Sequence, residues 1–240
     1  MPLPSLNGQR VAIIGGSSGI GFAVAECALA EGAQVVIASS KAANVEAAVR
    51  SLSQGASGSG VDVSDEVSVA TFFEGLGAFD HLVFTAGDWG PHLFSGPIAK
   101  MDVGSASEAL KVRFWGALIA IKHAQGLISP NGSITLTDGV LAHRPRKGAP
   151  LSTAFGGAIE HLTRGLAVDL APIRVNAVCP GLVLNEKLNR SRELVRQQTE
   201  RQLIPRGADP SEVAQAYLYL MRGGYTTGQV LIVDGGLMLT

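Results

Sequence analysis

Aromatic side chains make up only 5% of this 240-residue sequence and charged ones only 16%. The 19 Lys and Arg against 20 Asp and Glu leave a net charge of -1, so no basic surface exists to hold a nucleic acid or an anionic membrane. Cysteine is nearly absent. The two present, Cys27 and Cys179, are far apart and in no metal-ligand spacing, which excludes a disulfide framework and reads as two buried small hydrophobes in a reducing compartment, with no metal expected. No apolar run approaches the roughly 20 residues of a membrane span. Met1–Arg10 lacks the charged start and apolar centre of a signal peptide, so the expected location is cytoplasmic. A small-molecule partner remains.

Hydrophobic residues reach 46% and glycine 30 positions, a composition that excludes disorder and suits one domain over residues 1–240. Short β-branched runs at Val11–Ile14, Val35–Ala38, His81–Thr85, Ser133–Thr137, Ile173–Val178 and Val230–Val233 predict strands. Between them, Gly19–Glu31, Asn44–Ser51, Glu66–Gly75, Ala106–Leu127, Ala154–Leu170 and Pro210–Met221 carry apolar residues at helical spacing. Continuously apolar strands alternating with helices require an α/β fold: a doubly wound parallel sheet with helices on both faces. The Ser/Gly stretch Ser51–Gly60 reads as a surface turn, and Ala86–Met101 and Leu182–Ser191 as loops or short helices near strand carboxyl ends, where ligands bind in such folds.

The first strand leads directly into Gly15-Gly16-Ser17-Ser18-Gly19-Ile20-Gly21, and a helix follows. Glycines there permit a tight turn and close approach of backbone to a pyrophosphate, whose charge is met by free N–H groups at the helix start. This is the dinucleotide loop of a Rossmann-like domain. The second strand ends Ser39-Ser40-Lys41, where an NAD site would carry a carboxylate for the ribose hydroxyls. Two hydroxyls and an ammonium instead suit a 2′-phosphate, so NADP(H) is the expected cofactor, unless Lys41 merely solvates a helix start.

Beyond these residues the chain resembles the short-chain dehydrogenase/reductase superfamily over nearly its whole length. Val61-Asp62-Val63 matches the segment that contacts adenine in the family, and Thr85-Ala86-Gly87 its Asn-Ala-Gly turn. Leu162–Val178 is similar to its fifth helix and sixth strand, Pro180-Gly181-Leu182-Val183 to the nicotinamide-side loop, and Thr227–Gly236 to its last strand. The family reduces carbonyls with an Asn-Ser-Tyr-Lys tetrad, and here the tetrad is gone. The Tyr slot falls on Ser152, the Lys slot on Gly156, the Ser slot on Gly139 and the Asn slot on Arg113; a frame slipped by one gives Leu151 and Phe155.

Asp138, beside the Ser slot at the end of the fifth strand, and Arg113, in the Asn slot, stand where the family places residues under the nicotinamide. They predict either a structural Arg–Asp pair or a site in which Asp138 meets a cationic substrate while Arg113 keeps it ionised and positions substrate or cofactor. Asp88 and Trp89 would overhang that site or pack beneath a loop. His143, in the run His143–Lys147, is a lid residue or a solvated one, and Ser152 is a further substrate contact. Some fungal family members without the tetrad, the reductase/Diels–Alderases of prenylated indole alkaloid pathways, also combine Arg, Asp and a Trp-Gly loop. That resemblance implies NADPH-dependent reduction of an iminium in secondary metabolism, with a cyclisation coupled to it. The competing expectation is a non-catalytic NADP(H)-binding sensor or scaffold. Apolar residues on more than one face of the helices around Phe114, Leu118 and Ile121 and around Phe155, Ile159, Leu162 and Leu166 predict a homodimer or homotetramer.

Overall fold

The computed structural model describes residues 5–52, 54–87, 98–184 and 192–240. Seven parallel strands form one sheet in the order β3-β2-β1-β4-β5-β6-β7. They are β1 (Arg10–Ile14), β2 (Gln34–Ser39), β3 (Ala56–Gly60), β4 (Phe79–Phe84), β5 (Ile128–Thr137), β6 (Arg174–Pro180) and β7 (Val230–Val233). The helices are α1 (Gly19–Ala30), α2 (Ala42–Ser51), α3 (Glu66–Leu76), α4 (Val103–Leu110), α5 (Gly116–Ala124), α6 (Pro150–Asp169), α7 (Arg192–Thr199) and α8 (Pro210–Arg222). Strand order reverses between β1 and β4, which opens a crevice at their carboxyl ends.

Both faces of the sheet are buried, as the apolar strands require. Val11 and Ile13 of β1 join α1, α2 and α8 in one core, while Ala12 and Ile14 join α3, α5 and α6 in the other. Alternation of side chains along a strand therefore decides which layer each residue meets. Local chemistry sets several helix starts. Asp65 accepts from the Val67 N–H at 3.0 Å to start α3, and a capping box of Asp209 and Glu212 with Pro210 in the first turn starts α8.

The structure corrects the sequence reading at two elements. The stretch expected to be a surface turn contains β3, paired with β2 from Val35↔Ala56 to Ser39↔Gly60. A Cβ on Gly58 would stand 2.7 Å from Val45 Cγ1 and 2.8 Å from Ile37 Cγ1, so the glycine that weakens the strand signal is what lets α2 lie on the strand. The helix expected over Ala106–Leu127 is broken: α4 runs into a π-helical turn at Lys111–Trp115, then α5, then a 3₁₀ turn at Gln125–Leu127. The inserted residue rotates Arg113 and Phe114 relative to a continuous helix. Further, α6 begins at Pro150 rather than Ala154, because Pro suits a helix's first position.

Candidate active site

The segments expected to hold a dinucleotide converge on the carboxyl edge of the sheet. Gly15 donates its N–H to Ala38 O at 2.7 Å, tying the glycine loop to the end of β2, and Thr85 N–H reaches Ile14 O at 2.8 Å. Gly181 N–H meets Val233 O, which sets the Pro180–Val183 turn beside β7. Gly15, at φ 93°, has no room for a side chain: a Cβ would lie 2.7 Å from Thr85 Oγ1 and 2.5 Å from Ala86 N. A Cβ on Gly21 would likewise meet Thr85 Oγ1 at 2.5 Å, so α1 can approach the sheet only with glycine there.

An observation on helix starts tests whether this edge fits a dinucleotide phosphate. At α3, α4 and α8 an Asp side chain accepts from first-turn N–H groups. At α1 Ser18 makes no such bond and no acid occupies the first turn, so the start of this helix keeps its positive dipole end without a side-chain acceptor, as does that of α6. The start of α2, capped by no side chain and preceded by Ser39, Ser40 and the exposed Lys41, has the same character. Asp62 lies beside it, exposed, its carboxylate accepting from Ser64 N–H at 2.9 Å and Ser64 Oγ–H at 2.6 Å, which hold its pKa below the usual range. Val63 is buried behind it.

Asp138 follows β5 directly and continues the Ile134, Leu136 row, which faces α6. Its N–H bonds to Val178 O, and the register Thr137↔Val178 places it alongside Cys179. The residue is 4% exposed, and its carboxylate has Glu160, the Gly139 N–H and the Cys179 thiol as polar neighbours. Burial, and then Glu160 of α6, push its pKa up to about 7. Gly156, the residue in the Lys slot, is packed on it: a Cβ there would collide with Asp138 Oδ1 and stand 2.6 Å from Ala142 Cβ.

This overturns the expected Arg113–Asp138 pair. Among the described residues no ion pair joins them, and Arg113 instead lies against Gly87, where a Cβ would be 2.7 Å from its Nε and Nη2. The π-helical turn carries the guanidinium to the end of β4, one strand away from Asp138. Buried and packed beside Glu160 rather than a guanidinium, Asp138 is shifted upward, opposite to the expected direction. Asp88 and Trp89 lie outside the described residues. Ser152 sits half-buried in the first turn of α6, and His143 follows a 3₁₀ turn at Val140–Ala142.

Glu160 was missed in the sequence reading. It is 5% exposed, one helical turn beyond Gly156 on the face of α6 that meets the sheet. An acid four residues from a glycine on a buried helical stripe was the available signal. His143 Nε2 lies against Glu160 Oε1, and the donor atoms of Asp138, His143, Glu160 and Cys179 lie within 4.8 Å of one another. Cys27 is only half-buried, against expectation, whereas Cys179 is buried with its thiol pushed up by burial and by Asp138. Tyr217 does not substitute for the absent tyrosine. It is fully buried on the opposite face, its hydroxyl 2.7 Å from Thr137 Oγ1.

The family model described as enoyl-(acyl carrier protein) reductase matches residues 14–238. The short-chain dehydrogenase/reductase ATR9 of Stachybotrys chlorohalonatus is 35% identical, over 99% of this chain and all of that protein. The short-chain dehydrogenase/reductase malC of Malbranchea aurantiaca is 33% identical, over 98% of this chain and 96% of that one. Among solved structures, a small-chain dehydrogenase in complex with NADPH matches 98% of this chain and 100% of its own at 35% identity and a TM-score of 0.84. The MalC reductase/Diels-Alderase of Malbranchea aurantiaca matches 98% of this chain and 97% of its own at 34% identity and a TM-score of 0.90.

Proposed function

The chain belongs to the short-chain dehydrogenase/reductase family, and on that premise we propose that it is an NADPH-dependent reductase of an imine or iminium in secondary metabolism, with Asp138 replacing the family's tyrosine. It is an oxidoreductase of that family, and NADP(H) is its cofactor. Gly15, Ser17, Ser18, Gly19, Ile20 and Gly21 would hold the pyrophosphate, Ser39, Ser40 and Lys41 the 2′-phosphate, Asp62 and Val63 the adenine side. Thr85, Ala86, Gly87 and Pro180–Val183 would flank the nicotinamide end, with Arg113 on Gly87 positioning that part of the cofactor. When bound, NADPH supplies the hydride.

One observation carries the reading: a buried carboxyl without a cationic partner, its pKa raised to about 7, against the glycine that replaces the lysine. A carboxyl so poised is half protonated at neutral pH. It can place its proton on a neutral imine nitrogen and then, as a carboxylate, stabilise the iminium it has formed. Reduction of that cation leaves a neutral amine, so no alkoxide needs a tyrosine proton. The kinship with a protein described as a reductase/Diels-Alderase supports a substrate that also cyclises.

The test is single-turnover NADPH oxidation with a cyclic imine and its matched ketone. The imine should react faster, and Asp138→Asn should slow it by about 10²-fold, the scale of one lost general acid. A ketone reacting as fast, or a loss in Asp138→Asn under about 5-fold, which is roughly 1 kcal/mol of barrier, would remove Asp138 from this role. Tight NADPH binding without turnover of either substrate would favour the sensor or scaffold instead.

A further inference from the structure

Asp138 can give up only one proton, and it is buried away from the solvent that must return it. A return route must run through the groups around it. Cys179 on β6 faces it with a thiol that burial keeps protonated, and Tyr217 on α8 has a hydroxyl likewise pushed up by burial. Asp234, beyond β7, is turned to the Gly236 and Met238 N–H groups at 2.9 and 2.8 Å. From α6 comes Glu160, and behind it Arg164, whose Nη2 is 3.8 Å from Glu160 Oε2 on the exposed side. From the 3₁₀ turn after β5 comes His143, with its side chain 30% exposed and its Nε2 on Glu160 Oε1. Among the described residues, only the line Asp138, Glu160, His143 reaches water through groups that exchange protons readily.

We propose that Glu160 and His143 form the proton supply of Asp138, with the two buried carboxyl groups sharing one proton and the imidazole passing the next one in from solvent. The geometry favours it because two carboxylates within 4.8 Å of one another, out of water, cannot both stay ionised cheaply. Resting on the imine-reduction reading, the cycle balances. Asp138 Oδ–H gives its proton to the substrate nitrogen as the adjacent carbon takes the hydride. That leaves both groups as carboxylates, so Glu160 takes a proton from a protonated His143 and hands it to Asp138, and His143 regains one from water. One solvent proton is consumed per imine reduced. Glu160 and His143 are positioning residues here, since neither touches substrate.

The first test needs no turnover. An infrared pH titration of the protein should show a protonated-carboxyl band that disappears as pH rises through about 7. The band should be absent in Asp138→Asn and move to lower pH in Glu160→Gln, because a neutral amide no longer raises the Asp138 pKa. An unmoved band in Glu160→Gln would overturn the sharing. A divalent cation found stoichiometrically in the purified protein, and lost in Cys179→Ala, would overturn it too, since it would take the protons' place among these donors. The second test uses 3,4-dihydroisoquinoline and NADPH. His143→Ala, an exposed change that spares folding, should lower kcat by about tenfold, with external imidazole restoring it. A wild-type rate, or a loss that imidazole does not restore, would refute the relay. If wild-type enzyme reduces no imine, the imine reading fails alone, and the infrared titration still decides the shared proton.

Discussion

At the scale of single residues, Lys41 makes the simplest prediction. It caps the start of α2 without a side-chain hydrogen bond and is exposed, so its ammonium is available to a 2′-phosphate and its replacement leaves the core untouched. Lys41→Ala should weaken NADPH binding by about tenfold, the 1.4 kcal/mol typical of one charge-assisted contact, and leave NADH unchanged. Lys41→Asp should reverse the preference, because a carboxylate repels the phosphate and accepts from ribose hydroxyls. Fluorescence titration with both cofactors reads both changes, and equal affinities in the wild type would refute the assignment. The glycine loop was legible as a tight strand-to-helix turn because glycine is required there by its close contacts with Thr85 and Ala86. The surroundings of Asp138 were not: Glu160, Cys179 and His143 reach it only through the register of β5 with β6 and the docking of α6. A charge seen in sequence next to an empty tetrad invited pairing with the nearest vacated slot, Arg113, and a one-residue π insertion was enough to send that guanidinium to Gly87.

At the scale of elements, α6 and the end of β5 should be read together. Gly156 brings the helix close enough for Asp138 to lie on it, so a larger side chain at 156 must displace the carboxyl. Gly156→Lys alone should destabilise the protein by about 1–3 kcal/mol, the range for overpacking, with the added cost of displacing a buried carboxyl. Combined with Asp138→Ser, the same change should regain most of that loss. Urea unfolding of the two singles and the double measures the coupling, and additivity of the singles would refute it. Element type followed from periodicity wherever apolar residues line a buried face, as in α1, α6 and β1. It failed at β3, whose Ala-Ser-Gly-Ser-Gly sequence carries no hydrophobic alternation because the strand is an edge with α2 pressed against its glycine. It failed again within the α4–α5 segment, where apolar spacing persists through a turn of different pitch.

At the scale of the whole molecule, the two cores leave part of the expected apolar surface unused. Ile121, Phe155 and Ile159 are buried within the chain, while Phe114, Leu162 and Leu166 are only partly covered. On the same helical layer Trp115 is 55% exposed and Val168 82% exposed. A single exposed hydrophobe needs no explanation, but several on neighbouring helices of one face suit a self-complementary contact. A two-fold axis passing beside α5 and α6 would set each residue against its own copy and close the assembly without leaving a free surface. We therefore expect a homodimer or homotetramer. Light scattering at micromolar concentration should give two or four times the 24.8 kDa chain mass. Val168→Glu and Trp115→Glu together should shift the population toward the monomer, because a carboxylate facing its symmetry mate must either lose water or hold the helices apart. Since neither residue lies in the core, the thermal transition measured at low protein concentration should move little. A wild-type chain that scatters as a monomer, or a doubly charged variant that stays assembled, would place the contact elsewhere on the fold.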